Sequence, residues 1–194
     1  AFILMTFFAN RLVERSHSLS LLNIETIYED DFLLVLNKPC GLVVNKSRTT
    51  KDFTLQDYLL DKLTFPQGNL DEQSQIFVSR AGLAHRLDKE TSGVIVVAKN
   101  PSVLANLMSQ FQSREVVKTY LALVHGVVLD PIIAVDAPIA RNPRNRLKFA
   151  IVKNGKPSCT LIRLIKNFEE FSLVSAEPKT GRTHQIRIHL AGLN

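Results

Sequence analysis

The sequence predicts an α+β fold built on a mostly antiparallel sheet with flanking helices, and three observations carry that prediction. Short apolar runs of strand length outnumber the helical patterns along the 194-residue chain. Their spacing is unequal, unlike the regular strand–helix alternation that builds a parallel sheet. Two of the runs, Leu161–Ile165 and Phe171–Ala176, are joined by Lys166-Asn167-Phe168-Glu169-Glu170, a connection of hairpin length.

Residues 1–23 do not resemble the rest of the chain and read as a linker or the remnant of another domain, leaving 24–194 as the folded domain. Ile27–Asp31 leads into Phe32-Leu33-Leu34-Val35-Leu36, a continuous apolar run typical of a buried strand. Pro39 and Gly41 mark Asn37–Gly41 as a turn, and Leu42-Val43-Val44 then resumes extended structure. Over Thr54–Leu63, Leu55, Tyr58, Leu59 and Leu63 fall on one helical face, with Thr54 able to cap the start. Phe65 to Ser79 is polar and is expected to be a loop. Val94–Ala98 reads as a second buried strand. Asn100-Pro101-Ser102 then opens a helix to about Gln112, with Pro101 in the first turn, where its missing N–H is no loss. Tyr120–Val128 is a further strand. The closing stretch Thr180–Leu190 stays open between two forms. Its last six residues alternate polar and apolar like a strand, whereas Gly181 and a capping Thr183 permit a helix.

An apolar fraction of 45% and a charged fraction of 22% suit one well-packed globular domain. No apolar run approaches the roughly 18–20 residues that cross a bilayer, so no membrane partner is expected. Ala1–Ala9 is apolar but lacks a basic leader and is followed by Arg11 and Arg15, a poor secretory signal. Cys40 and Cys159 lie far apart with no zinc or disulfide spacing, which points to a reduced, cytoplasmic setting. The chain does not begin with Met and stops abruptly at Ala191-Gly192-Leu193-Asn194, so it reads as a piece cut at both ends. Its formal net charge is +6. Eight basic residues (Arg141, Arg144, Arg146, Lys148, Lys153, Lys156, Arg163 and Lys166) and no acidic one lie between Ala137 and Lys166. A one-signed cluster of this kind suits a nucleic-acid backbone, the alternative being a solvated basic face.

The most informative stretch is His85-Arg86-Leu87-Asp88-Lys89-Glu90-Thr91-Ser92-Gly93, directly before the apolar run Val94–Ala98. A carboxylate beside a turn at the mouth of a buried strand is well placed to meet a ligand while the strand holds it still. Asp88 is therefore the candidate nucleophile or general base, against the alternative of a turn carboxylate that caps nearby amides. Arg182 or Arg187 could pair with it and keep it ionised. His85, His184 and His189 invite a metal, but no carboxylate or cysteine joins them at ligand spacing, so no metal is assigned. His184 and His189 are expected to orient neighbours or contact phosphate. Tyr120 is either a sheet-face aromatic or a platform for an unstacked base. A kinase catalytic loop is excluded, because no glycine-rich phosphate loop or Asp-Phe-Gly accompanies His85-Arg86-Leu87-Asp88.

At these residues the chain resembles the RluA-type pseudouridine synthases, which modify ribosomal and transfer RNA. Ile27–Val44 is similar to that family's opening strand pair, His85–Lys99 to the motif with the catalytic Asp, and Lys118–Gly126 to the motif with the active-site Tyr. Gly155–Thr160 followed by Thr180–Leu190 resembles the third motif. The resemblance implies a pseudouridine synthase fold with a central active-site cleft, and Asp88 as the nucleophile on the uracil ring or the ribose anomeric carbon. It implies that Tyr120 stacks on the target base, Arg187 pairs with Asp88, Arg86 enters the RNA where the base was removed, and Arg182 joins them in binding substrate. Isomerising uridine oxidises nothing and the substrate supplies every atom, so no cofactor is expected. The protein is expected to act as a monomer on RNA. Two departures stand out: Asn45 replaces the family's usual His, and the Gly-Asp and Tyr-Gly elements that follow the third motif would lie beyond Asn194. The rivals are a non-catalytic RNA-binding protein on the same fold and a carboxylate-dependent glycosidase, which would need a second acid.

Overall fold

The computed structural model describes residues 24–47 and 50–193, so the expectation for residues 1–23 lies outside the described residues. The chain divides into two compact units, one ending at Glu115 and the other beginning at Val116. Helices and antiparallel strands mix in both, and every strand pair is antiparallel among the described residues.

The first unit is built on a three-stranded sheet in the order β1 (Glu25–Glu29), β2 (Leu33–Lys38) and β3 (Gly93–Ala98). Asp30 closes the β1–β2 hairpin by accepting from the N–H groups of Phe32 and Leu33 at 2.8 and 2.6 Å. Leu34 and Leu36 on β2 pair with Val97 and Ile95 on β3, and all four are buried. Helix α1 (Leu55–Lys62) begins at Thr54 as its sequence predicts, with a capping box closed by Asp57. Helix α3 (Pro101–Ser113) is capped by Asn100, whose side chain accepts from the Val103 N–H, and Leu104 anchors it. The expected loop over residues 65–79 is corrected: α2 (Glu72–Arg80) forms there, capped by Asp71. Its polar composition hid it, since Phe77 is its one buried residue. Leu42–Val44 is also not a strand, because only Val43 makes a bridge, to Thr54.

The second unit holds a four-stranded sheet in the order β4 (Tyr120–His125), β9 (Phe171–Pro178), β8 (Cys159–Asn167) and β5 (Ile132–Asp136). The predicted hairpin between residues 161 and 176 is its β8–β9 pair. A separate two-stranded ribbon, β6 (Ile139–Asn142) and β7 (Asn145–Ile151), was not foreseen as strands. The ambiguous last segment is helix α4 (Gln185–Ala191). Thr183 does not cap it; His184 occupies that position in the left-handed region at φ 55°, with no side-chain cap bond. Ala122, Ile162, Val174, Ala176 and Leu190 form the core that fastens α4 to one face of the sheet.

Candidate active site

The loop carrying Asp88 is anchored at both ends. Upstream, Gly82 sits at φ +75°, and a Cβ added there would come within 2.3 Å of the Ala98 carbonyl oxygen, so only glycine lets the chain pass this close to β3. The His85 ring stacks on Phe111 of α3 at 4.7 Å, and its Nε2 accepts the Val96 N–H at 3.0 Å. His85 therefore serves β3 as a fixed acceptor. Leu87 is buried, so its neighbour Arg86 is turned outward and exposed while Asp88 is half-buried. Downstream, the Thr91 N–H donates to the Asp88 carbonyl at 3.0 Å and closes the turn before β3.

Beneath this turn lies a residue that the sequence reading missed. Lys38, at the end of β2, is fully buried. Its Nζ donates to the carbonyls of Pro39 and Leu42, each at 2.8 Å, and of Lys89 at 3.1 Å. A buried ammonium is tolerated only where its protons find acceptors, and three carbonyls supply them. Burial pushes the Lys38 ammonium down to about 8, while Cys40, Glu90 and Asp88 favour its charged form. One side chain thus ties the turn after β2 to the loop of Asp88. Gly41 adds a main-chain bond to the Lys89 carbonyl at 2.9 Å, and the Cys40 thiol donates to the Glu90 carbonyl at 3.2 Å. The signal for Lys38 was available: Leu34, Leu36 and Lys38 alternate along β2, and that period turns Lys38 inward with the two leucines.

In the second unit Tyr120 opens β4, half-buried, paired with Ala176 on β9. Arg187 stands exposed on α4, and Arg182, in the loop before it, donates from Nε to the Pro157 carbonyl at 3.3 Å. Ala122 of β4 and Leu190 of α4 share one core, so the elements bearing Tyr120 and Arg187 are fixed to the same face.

The start of α4 is held by buried polar groups. Gln185 uses its whole amide. Its Nε2 donates to the Cys159 carbonyl at 2.9 Å and Thr160 Oγ1 at 3.0 Å, and its Oε1 accepts from Thr180 Oγ1 at 2.7 Å and the Arg182 N–H at 3.0 Å. His189 is fully buried, with Nε2 2.9 Å from the Ala137 carbonyl and Nδ1 2.9 Å from Thr160 Oγ1. A carbonyl can only accept, so the ring proton sits on Nε2 and Nδ1 accepts from the Thr160 hydroxyl. His189 therefore orients its neighbours and is out of reach of phosphate. His184 is exposed, its ring edge-on to Phe149 at 6.3 Å between centroids. Among the described residues no group of His, Cys, Asp and Glu gathers as a metal cage, and no helix is long and apolar enough to cross a membrane.

Comparison with known proteins meets this arrangement from another side. The sequence profile of the RNA pseudouridylate synthase family matches residues 32–192. An uncharacterized RNA pseudouridine synthase of Aquifex aeolicus is 44% identical over 172 residues, covering 88% of this chain and 52% of the relative. The ribosomal large subunit pseudouridine synthase D of Nitrosomonas europaea is 41% identical over 180 residues, covering 93% and 49%. The chain thus spans about half the length of the curated relatives it matches. Among solved structures, human RNA pseudouridylate synthase domain containing 1 superposes with a TM-score of 0.67 at 27% identity, over 93% of this chain and 68% of that one. Human RNA pseudouridylate synthase domain containing 4 gives 0.65 at 27%, over 86% and 63%. These neighbours share the α+β fold.

Proposed function

Since the chain belongs to the RNA pseudouridylate synthase family, we propose that it isomerises specific uridines in structured RNA to pseudouridine, with Asp88 as the nucleophile. The observation that supports this most is the loop itself: a half-buried carboxylate between an outward Arg86 and a closed turn, pinned by Lys38. Such a carboxylate is held in place yet open to a substrate.

The reaction breaks the bond between uracil N1 and the ribose anomeric carbon and forms one from uracil C5 to that same carbon. Asp88 attacks either the ring or the anomeric carbon and holds one fragment covalently while the base turns over. When C5 has bonded to the sugar, the carboxylate leaves, C5 gives up its proton to solvent and N1 takes one up. No electrons are exchanged with a second molecule. The uridine must first leave its stack, at a cost of a few kcal/mol that phosphate contacts offset. In this proposal Tyr120 supplies the aromatic surface for the flipped base, Arg182 and Arg187 bind the RNA and Arg86 fills the space the base vacated. Relatives named for the large ribosomal subunit favour ribosomal over transfer RNA as the substrate. The proposal takes the protein to act as a monomer in the cytoplasm.

Incubation with large-subunit ribosomal RNA transcribed in vitro tests this, read by nucleoside chromatography for pseudouridine. The unaltered protein forms pseudouridine, and Asp88→Asn slows its formation by roughly a thousandfold or more while RNA binding persists. Pseudouridine made at an undiminished rate by the Asn variant removes Asp88 from the nucleophile role. Binding without modification, on that transcript and on total cellular RNA, favours the non-catalytic RNA-binding protein.

A further inference from the structure

We infer that His85 is a positioning residue for Asp88, and that the loop keeps its working shape only while Nε2 of that ring carries no proton. The inference rests on the proposed role of Asp88 and adds the group that fixes the upstream end of its loop, which Lys38 holds from beneath. Strand β3 is paired with β2 along one edge. On its other edge the Ala98 N–H donates to the Gly82 carbonyl at 2.9 Å and Leu83 bridges to Val97. Regular antiparallel pairing would then send the Val96 N–H to the Ala84 carbonyl. It goes instead to His85 Nε2 at 3.0 Å. An imidazole thus takes the place of a main-chain carbonyl in the ladder, which frees the chain to leave β3 and turn toward Asp88.

The ring is held for that task. Its stack on Phe111 at 4.7 Å, with 24° between the planes, fixes the direction of Nε2. Only Arg86 and Leu87 separate His85 from Asp88, and Leu87 is buried. Little freedom is left before the Thr91 N–H closes the turn on the Asp88 carbonyl at 3.0 Å. A nitrogen that accepts an N–H cannot carry one, so the neutral ring holds its proton on Nδ1.

Acid reverses that role. An imidazolium carries N–H groups on both nitrogens, so Nε2–H would point at the Val96 N–H, donor against donor. The Phe111 face would attract the charged ring without giving Val96 an acceptor. The two elements against the ring supply no carboxylate, since neither Gly93–Ala98 nor Pro101–Ser113 contains a charged residue. The charged groups on the neighbouring segments are Arg86, Asp88, Lys89 and Glu90 of its own loop and Lys38 on β2. Asp71, Glu72 and Arg80 belong to α2 and its cap, which pack on α3. The tie is therefore complete above the titration of the ring and is lost as pH falls through it.

Amide hydrogen exchange at Val96 and Thr91 tests the tie, together with single-turnover pseudouridine formation on large-subunit ribosomal RNA transcribed in vitro. Both use the whole chain between about pH 5 and 8, the range that imidazoles cross. In the wild type the two amides should lose protection together as pH falls, after correction for the intrinsic rate of exchange. The rate at saturating protein should fall with them, towards about tenfold per pH unit. His85→Gln, whose amide oxygen accepts without titrating, should keep the protection, flatten that fall and react within about threefold of wild type at pH 8. His85→Leu offers no acceptor and should lose the protection at every pH. It should lower the saturated rate by about tenfold or more with RNA affinity within about twofold, whereas a fall in folded fraction would shift the apparent affinity. The inference is overturned if the Gln variant shows the wild-type acid fall, or if His85→Leu keeps both amides protected. If the Leu variant does not fold, the Gln variant decides alone. No pseudouridine from any of the three proteins, with the exchange pattern as expected, would sink the proposed function alone. Pseudouridine formed while Thr91 exchange is indifferent to pH and to both substitutions would sink the tie alone.

Discussion

The two units present a charged candidate residue by opposite means. In the first, one buried cation, Lys38, gathers three carbonyls and holds the loop of Asp88. In the second, neutral groups divide the work, as Gln185, His189 and Thr160 pass hydrogen bonds among themselves to set the helix of Arg187. The sign of the anchor matches what it supports. A buried ammonium beneath a loop bearing Asp88 and Glu90 is drawn to them, whereas one beneath a helix bearing Arg187, with Arg182 before it, would be repelled. The cation concentrates the hold in a single side chain, and the network spreads it over several.

Changing each anchor sharpens that contrast. The largest effect falls on Lys38→Met, which keeps much of the apolar stem and leaves the Pro39 and Leu42 carbonyls short of a donor. We expect a loss of about 3 kcal/mol, seen as a fall of roughly 6–12 °C in Tm for a chain of this size. The deficit should also widen with pH. Between about 8, the folded value for Lys38, and its ordinary 10.5, the unfolded chain holds a proton that the folded chain has shed. Rising pH then favours folding of the wild type and not of the variant, by about 2 kcal/mol between pH 8 and 10. Denaturant titrations at pH 7, 8, 9 and 10 read this directly, and a constant gap would show that Lys38 is not titrating there.

The neutral network should yield in smaller steps. Gln185→Leu and His189→Leu are each expected to cost about 1–3 kcal/mol. Because both lean on the Thr160 hydroxyl, the double variant should lose less than the sum, by 0.5 kcal/mol or more on a roughly 1 kcal/mol scale. Strict additivity in a double-mutant cycle would mean that the two do not act as one unit. The smallest effect concerns His184 at φ 55°. A β-branched side chain is strained there and Asn is not, so His184→Val should cost about 1–2 kcal/mol and His184→Asn close to none. Equal melting temperatures for the two variants would break that expectation.

Elements that bury an apolar face were legible in the sequence. The runs at 32–36 and 94–98 and the helices capped by Thr54 and Asn100 all form close to where periodicity and capping put them. What escaped was structure whose buried positions are polar or whose positions are not buried. In α4, Gln185 and His189 face inward, so a scale that counts only apolar residues saw the alternation of a strand. Lys38 escaped for the same reason, a charged residue in a leucine's place. The β6–β7 ribbon has almost no buried residue to set a period, and only its charge was noticed. Asp88, Arg86 and Arg187 were singled out because the motifs themselves carry them, and His189 was expected to orient neighbours, while Lys38 and Gln185, which hold the same segments, carry no such signal.

The thiol of Cys40 has a use apart from the fold. It is half-buried and donates to Glu90 at the far side of the pinned loop, and burial followed by the bond to the Glu90 carboxylate pushes its pKa up. The thiolate is the nucleophile that attacks alkylating reagents, so at neutral pH partial burial and the raised pKa both slow the labelling of Cys40. Its rate of labelling is then a clock for the loop swinging open, kept by the protein without any added probe. The chain has one other cysteine, Cys159 on β8, so the two signals are separable by peptide mapping. The time spent open by the segment that bears Asp88 becomes a number read with a common reagent.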